Sequence, residues 1–409
     1  MLRDELIEIY REAVRSLSGD ALVREALEGR PRPAKLRVLA LGKAACAMLR
    51  GAEEVWGALT GVAVAPAAAV APAGVELVVG EHPTPGPGSL EGGRRLLEAA
   101  RSMEPDAHAL VLLSGGGSSL AEVPAPGLTL DDLRETTAIL LAAGVPIDGI
   151  NSVRKHLSAI KGGRLGAACT AGTVEVLALS DVAGDDPAVI ASGPFVADPT
   201  TFADALGVLE HYRIRRRVPE AVRRHLEEGR DESPKPGDPR LARIRQTILA
   251  GPLDLPRRAA QIARARGWKA EALPALVGGD VEEVAARWKA WFRDGHRRGT
   301  LLAAAAEPTI VLPPEPGAGG RSQHLALRLA TAIAGSDAAF LAAGSDGHDG
   351  ASDHAGAAVD GQTAASQVEI DEALSHAASA AAATRLGVAL PAWETGTNLA
   401  DLHLLAIGR

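Results

Sequence analysis

The sequence predicts an α/β protein whose first part is a doubly wound, mainly parallel sheet, followed by a second, smaller unit. Two observations carry the prediction. Apolar runs such as RVLAL, VELVV, ALVLL and VEVLAL each lead into a glycine- or proline-rich turn or an acidic loop, several with a helical stretch beyond. Strands of this kind, without polar alternation, are buried on both faces, as in a parallel sheet covered by helices. The second observation is a change of composition at residues 227–240, EEGRDESPKPGDPR, which is charged and rich in Pro and Gly. It reads as a boundary between residues 1–235 and 236–409.

In chain order, MLRDELIEIYREAVRSL carries carboxylates where a signal peptide needs a basic then apolar run, so it reads as an amphipathic helix. KLRVLALGKAACAML is a strand, a Gly-Lys turn and a small-residue helix. Residues 60–73 hold Ala, Val and Gly with Pro66 and Pro72, which suits a buried strand and loop better than a membrane span. A strand ending in EHPTPGPGS, then a helix, follows; AHALVLLSGGGSSLAE is strand and glycine loop, and VEVLALSDVAGDDP is strand and acidic loop. Beyond the boundary, IRQTILAGPLDLPRRAAQIARARG with WKAEALPAL reads as strand, helix, strand. Val284, Trp288 and Trp291 form a stripe at helical spacing that we assign to the core. PTIVLPPEPGAGGRSQHLAL repeats strand, glycine loop and helix, and AAFLAAGSDGHDGASDHAG ends in a second acidic loop.

The 409 residues are 46% hydrophobic and 23% charged, ordinary for a globular chain long enough for two or three cores. Aromatics are 3%, too few for a base-stacking platform. The net charge of -8 argues against a nucleic-acid surface but leaves room for a local cationic pocket for a small anion. Cys46 and Cys169 give neither zinc spacing nor a disulfide framework, which fits a reducing compartment. The expectation is a cytoplasmic protein with no membrane or nucleic-acid partner; a homodimer is compatible with these features but not required by them.

Common catalytic signatures are missing. Gly42-Lys43 has Arg37 where a Walker A loop needs its first glycine, and no G-x-G-x-x-G, G-x-S-x-G or H-E-x-x-H occurs. What the sequence offers instead is Ser114-Gly115-Gly116-Gly117-Ser118-Ser119 between an apolar strand and a helix, a run of backbone N–H donors suited to phosphate oxygens. Lys43 stands at a strand tip, where a cation can offset charge on a transferring phosphoryl group. Gly319-Gly320-Arg321 repeats that logic with a planar guanidinium. Asp181, Asp185 and Asp186 lie beyond one strand, and Asp346, Asp349 and Asp353 beyond another, as candidates for Mg²⁺, which usually takes one or two carboxylates plus phosphates. His348 and His354 are read as solvent-facing or hydrogen-bonded rather than as ligands. Arg154, Lys155, His156 and Lys161 are candidates for an anion pocket, and Gly396-Thr397-Asn398 is a further polar turn. Together this is the parts set of phosphoryl transfer: positioning, a metal and charge stabilisation.

The blocks LGKAACAM, EHPTPGPGS, LLSGGGSSL, NSVRKHLSAIKGGRL, LSDVAGDDPAVIASGPFVADPTTF, GAGGRSQHLAL, GSDGHDGASDHAGAAVDG and ETGTNLADL occur in this order. The set resembles the class II glycerate kinases (glycerate 2-kinases), whose C-terminal part is the MOFRL domain, and the resemblance runs nearly end to end. It implies a Rossmann-like N-terminal domain, a smaller α/β C-terminal domain and an active site in the cleft between them. It implies ATP-dependent phosphorylation of D-glycerate, with Mg²⁺, to 2-phosphoglycerate, and Lys43 and Arg321 as the cationic catalytic groups. Two positions depart from the pattern: His324 where Glu is expected, and Ser345 where Thr is usual.

The combined expectation places ATP phosphates on Ser114 to Ser119 and Gly320, with Asp346, Thr397 and Asn398 among the nucleotide contacts. Arg154, Lys155 and His156 would receive the substrate, Mg²⁺ would bind Asp181 or Asp186, and Asp181 or Asp349 would take the hydroxyl proton. The rival expectations are an NAD(P)H-dependent hydroxypyruvate reductase, a kinase forming 3-phosphoglycerate, and a non-catalytic binder of small acids.

Overall fold

Residues 2–67, 69–294, 298–363 and 366–408 are described by a computed structural model. They pack as two units: Gly19–Leu249, and a discontinuous one made of Met1–Ser18 with Ala250–Arg409.

In the Gly19–Leu249 unit the strands are β1 (Leu36–Leu41), β2 (Gly61–Ala65), β3 (Val75–Val79), β4 (His108–Leu113), β5 (Thr173–Leu179) and β6 (Ile244–Ala250), in spatial order β3-β2-β1-β4-β5-β6. β1 to β5 pair in parallel, as the uncharged runs require. One face of the sheet contributes Leu39, Leu41, Val64, Val111 and Val176, which pack with Leu96, Leu97 and Ala100 of the helix Pro87–Arg101. The alternate residues Val38, Leu110, Leu112 and Leu177 are equally buried, so both faces are covered. Each such side chain contributes roughly 1.5–3 kcal/mol by leaving water. The chain moves outward from β1 to β3 and then returns past β1 to begin β4. The strand order therefore reverses between β1 and β4, the place where open α/β sheets bind ligands at their carboxyl ends.

The second unit holds β7 (Lys269–Ala272), β8 (Val277–Asp280), β9 (Thr300–Thr309), β10 (Ala338–Gly344), β11 (His354–Asp360), β12 (Ala389–Pro391) and β13 (Asp401–Ile407). Its order is β12-β11-β10-β13-β9-β7, with β8 also on β9. The pairs from β12 to β9 are antiparallel and only β7 and β8 run parallel to β9. This mixed sheet follows in part from loop length: the acidic loop joining β10 to β11 is too short for a parallel crossover. Phe340, Leu302, Leu405, Leu325, Leu329, Val284 and Trp288 share its core, so the Trp stripe is structural as expected.

The packing differs from the chain-order division at 235/236 in two ways. The first helix, Leu2–Ser16, buries Leu6, Ile9, Tyr10, Ala13 and Val14 in the second unit, where Tyr10 Oη donates to Gly344 O at 2.8 Å and Trp268 Nε1 to Glu5 at 2.7 Å. The charged stretch 227–240 is no linker either. It is folded onto the first unit, with Ser233 Oγ donating to the buried Asp198 at 3.0 Å and Glu232 accepting from His156 at 2.8 Å, and β6 beyond it is an edge strand of the first sheet. Among the described residues, no helix is long and apolar enough to cross a membrane.

Candidate active site

At the reversal point, Gly42 and Lys43 follow β1, and Ser114 to Ser119 follow β4. The two turns are tied together: Lys43 N donates to Gly115 O at 3.0 Å and Ala44 N to Ser114 Oγ at 3.0 Å. Gly42 has φ +126°, and a Cβ there would lie 2.2 Å from Ser114 Oγ, so only glycine fits. Ser114 is fully buried and joins the turns, a supporting role rather than the phosphate contact expected of it. At Gly116 (φ +81°) a Cβ would meet Lys43 Cγ at 3.1 Å, which fixes how near the lysine stem lies to the glycine loop. Lys43, Gly116 and Ser118 are the partly exposed members of this cluster, beside the buried Gly115, Gly117 and Ser119. The helix after the loop, Gly117–Leu120, has only four residues, so its dipole adds less than expected; the donors are the turn amides themselves.

Arg154, Lys155 and His156 separate because successive helical residues point in different directions. Arg154 Nη2 donates to Ser118 O at 2.9 Å and so reaches the glycine loop. Lys155 is buried against Asp198 at 3.5 Å, and the fully buried His156 bridges Ser152 O at 2.7 Å and Glu232 at 2.8 Å. The expected substrate contacts by Lys155 and His156 are thus replaced by an internal network. Lys161 is likewise buried, paired with Glu122.

Beyond β5, Asp181 is half-buried. Asp186 is exposed and its Oδ1 accepts the Ala188 N–H at 2.9 Å. Asp185, left-handed at φ +55°, has a buried Oδ1 with no hydrogen-bond partner. No group of three or more His, Cys, Asp or Glu able to hold a metal occurs among the described residues. A hard cation that takes one or two carboxylates and fills the rest with water and phosphate oxygens still fits the chemistry of this loop, where the buried Asp185 Oδ1 has no partner.

In the second unit, Arg321 begins the helix Arg321–Ala330 after Gly320. The buried Asp401, absent from the sequence-based candidates, holds its guanidinium by two bonds, Nε at 2.7 Å and Nη2 at 3.2 Å, and also accepts from Ser322 Oγ at 3.2 Å. Asp349 is buried too. Its Oδ1 accepts the Ser322 N–H at 3.0 Å and its Oδ2 the Gln323 N–H at 2.8 Å. Burial, then the neighbouring Asp401 charge, push its carboxyl up to about 7 against the pull of those amides. With both oxygens taken by the Ser322 and Gln323 amides, Asp349 is a cap for that helix rather than the proton acceptor expected of it, and the Gly320 N–H that was expected to hold phosphate donates to Ser379 Oγ at 3.1 Å. A Cβ on Gly320 would lie 2.2 Å from Asp349. Asp346 is half-buried, with Oδ1 accepting the His348 N–H at 3.1 Å. Thr397 is buried with an unpartnered Oγ1, and Asn398 is half-buried beside it. Ser345 Oγ accepts the Leu399 and Ala400 amides at 2.8 and 3.1 Å, so this hydroxyl pins the polar turn to the end of β10. His324 pairs with Glu282 at 2.7 Å on a neighbouring helix and serves packing. His354 is hydrogen-bonded to Gln323 at 3.2 Å, as expected, while His348 is exposed.

Residues 5–227 match the family described as "Domain of unknown function (DUF4147)" and residues 300–401 match the MOFRL family. The chain is 35% identical to a protein of Pyrococcus horikoshii named glycerate 2-kinase, over 91% of this chain and 87% of that one. It is also 35% identical, over 99% of this chain and 94% of the other, to a protein of Agrobacterium vitis that carries the provisional name hydroxypyruvate reductase. Its fold matches the crystal structure of a glycerate kinase from Thermotoga maritima with a TM-score of 0.86 and 33% identity, covering 99% of each chain. With both domains matched and relatives of this identity spanning most of its length, the chain belongs to the class II glycerate kinase family.

Proposed function

We propose that the protein phosphorylates D-glycerate at its 2-hydroxyl, using ATP and Mg²⁺, to give 2-phosphoglycerate. The observation that carries this reading is the approach of the Lys43 stem to Gly116 at the reversal point of the first sheet, a cation beside an open row of backbone donors. The turn amides of Gly115 to Gly117 receive phosphate oxygens, and Lys43 offsets charge that grows on the transferring group. In the second unit, Asp401 orients Arg321, the other cation that the family resemblance names. Arg154 steadies the loop and balances the substrate carboxylate. Asp185, with Asp181 or Asp186, would hold Mg²⁺, which would supply charge neutralisation for the phosphates. Asp181 accepts the proton released by the attacking hydroxyl.

The test is an enolase-coupled assay with D-glycerate and MgATP, following phosphoenolpyruvate with and without phosphoglycerate mutase. Signal without mutase is the expected outcome; signal only with mutase assigns the 3-hydroxyl, and no signal refutes the kinase. The name of the Agrobacterium relative supports a second reading, hydroxypyruvate reduction, which oxidation of NADH or NADPH by hydroxypyruvate would reveal. The lack of G-x-G-x-x-G counts against it.

A further inference from the structure

Ala191, Ser192 and Gly193 have φ of +51°, +61° and +60°, three successive left-handed residues of which two carry a Cβ. Backbone of this kind is strained and persists only where its surroundings hold it. Here they do: Gly162 N donates to Ser192 O at 3.1 Å and Gly163 N to Gly193 O at 2.7 Å. The strain places the fully buried Ser192 Oγ 2.7 Å from Ser118 Oγ and within 3.3 Å of Asn151 Oδ1, to which it donates.

That last bond sets the direction of the first. Ser192 has one hydroxyl proton, and Asn151 Oδ1 takes it. With that proton directed at Asn151, Ser118 is the donor in the 2.7 Å contact and spends its own proton inward. Its lone pairs remain able to accept, and the residue is partly exposed. Its backbone is held in place, since Arg154 bonds its carbonyl and the preceding Gly117 lies so close to Ala191 that a Cβ would sit 2.7 Å from that methyl. A fixed acceptor repels an unprotonated phosphate oxygen and welcomes a donor.

We infer that Ser118 recognises a hydroxyl of the hydroxy-acid substrate, and that Ser192 and Asn151 are positioning residues that orient it through the strained turn. This rests on the proposed function and replaces the phosphate role expected of Ser118. Asn151 cannot carry away a proton, so the chain of hydroxyls orients and does not act as the base.

The experiment is calorimetric binding of D-glycerate and of MgATP to the parent, Ser192→Ala and Ser192→Gly, with turnover measured alongside. Both variants should weaken D-glycerate about tenfold, the size of one hydrogen bond, and leave MgATP within about twofold. Ser192→Gly should unfold at a higher Tm than Ser192→Ala, because glycine relieves the left-handed strain that alanine keeps, which separates loss of the hydroxyl from loss of the fold. Unchanged D-glycerate affinity in both variants, or weakened MgATP instead, overturns the inference. A parent that binds D-glycerate without turning it over refutes the kinase, while the tenfold loss would still uphold the hydroxyl contact. A parent that does not bind D-glycerate refutes both.

Discussion

Two glycine turns that look alike in sequence face different partners in the folded chain. After β4, Gly116 and Ser118 are partly exposed and a lysine stem lies against them. Before the helix Arg321–Ala330, the first amides are already bonded to the chain's own Asp349. Glycine density marks where backbone donors gather; whether a ligand or an internal carboxylate takes them depends on residues far away in sequence. A third terminus sharpens the point. Glu81 accepts from Gly88 N at 3.1 Å and Ser89 N at 2.9 Å at the start of Pro87–Arg101, the same service as Asp349 gives. Partial burial works upward on Glu81, but the two amides and the Ser89 hydroxyl overcome it and hold its carboxyl below the usual range, whereas the deeply buried Asp349 beside Asp401 is driven up.

The largest expected effect tests the open turn. Lys43→Met should lower kcat by on the order of 10²–10³-fold, about 3–4 kcal/mol, with KM nearly unchanged in the coupled assay; an unchanged kcat would remove the chemistry from this turn. The filled turn comes next. Gly320→Ala drives a methyl into Asp349 and should cost about 2–4 kcal/mol in urea unfolding, and no measurable cost would mean the carboxylate is not locked there.

Asp349→Asn should cost less, about 1–2 kcal/mol near neutral pH, because the amide keeps one acceptor oxygen. It should also flatten a pH slope. The native carboxyl, at about 7, lies above its unfolded value of about 4, so its contribution is full below about pH 4 and is lost as pH rises through 7. Urea midpoints between pH 4.5 and about 8 in parent and variant measure this. The smallest effect is that of Glu81→Gln, about 0.5–1 kcal/mol of helix capping. Its pH dependence has the opposite sign: stability present above about pH 4 is lost as the pH falls through the lowered native value. Equal slopes in the two variants would erase the contrast.

The parallel strands β1, β4 and β5 were legible because an apolar run without charge admits few other readings. β9 was not, since TLLAAAAEPT carries four alanines that suit a helix, and only the flanking strands make it extended. The neighbouring apolar stretch PTIVLPP, expected to be the strand, instead leaves Val311 89% exposed. In the site, Lys43 and its glycine loop could be found because glycines must sit where backbones meet. Asp401 left no such mark: it grips Arg321 across 80 residues, and no local spacing encodes that pair. Ser192 was hidden for a related reason, since a left-handed serine reads like any other small residue in ASGP.

The first helix imposes an order on synthesis. Tyr10 binds Gly344, 334 residues further on, while the whole of Gly19–Leu249 is made in between. At roughly 5–20 residues per second, the stripe of Leu6, Ile9 and Val14 waits about 20–70 seconds for its groove to emerge. Through that interval the stripe has no native groove, so the middle unit is able to fold before the first helix can dock. A circular permutant beginning at Gly19 would let each unit close as soon as its last strand is made.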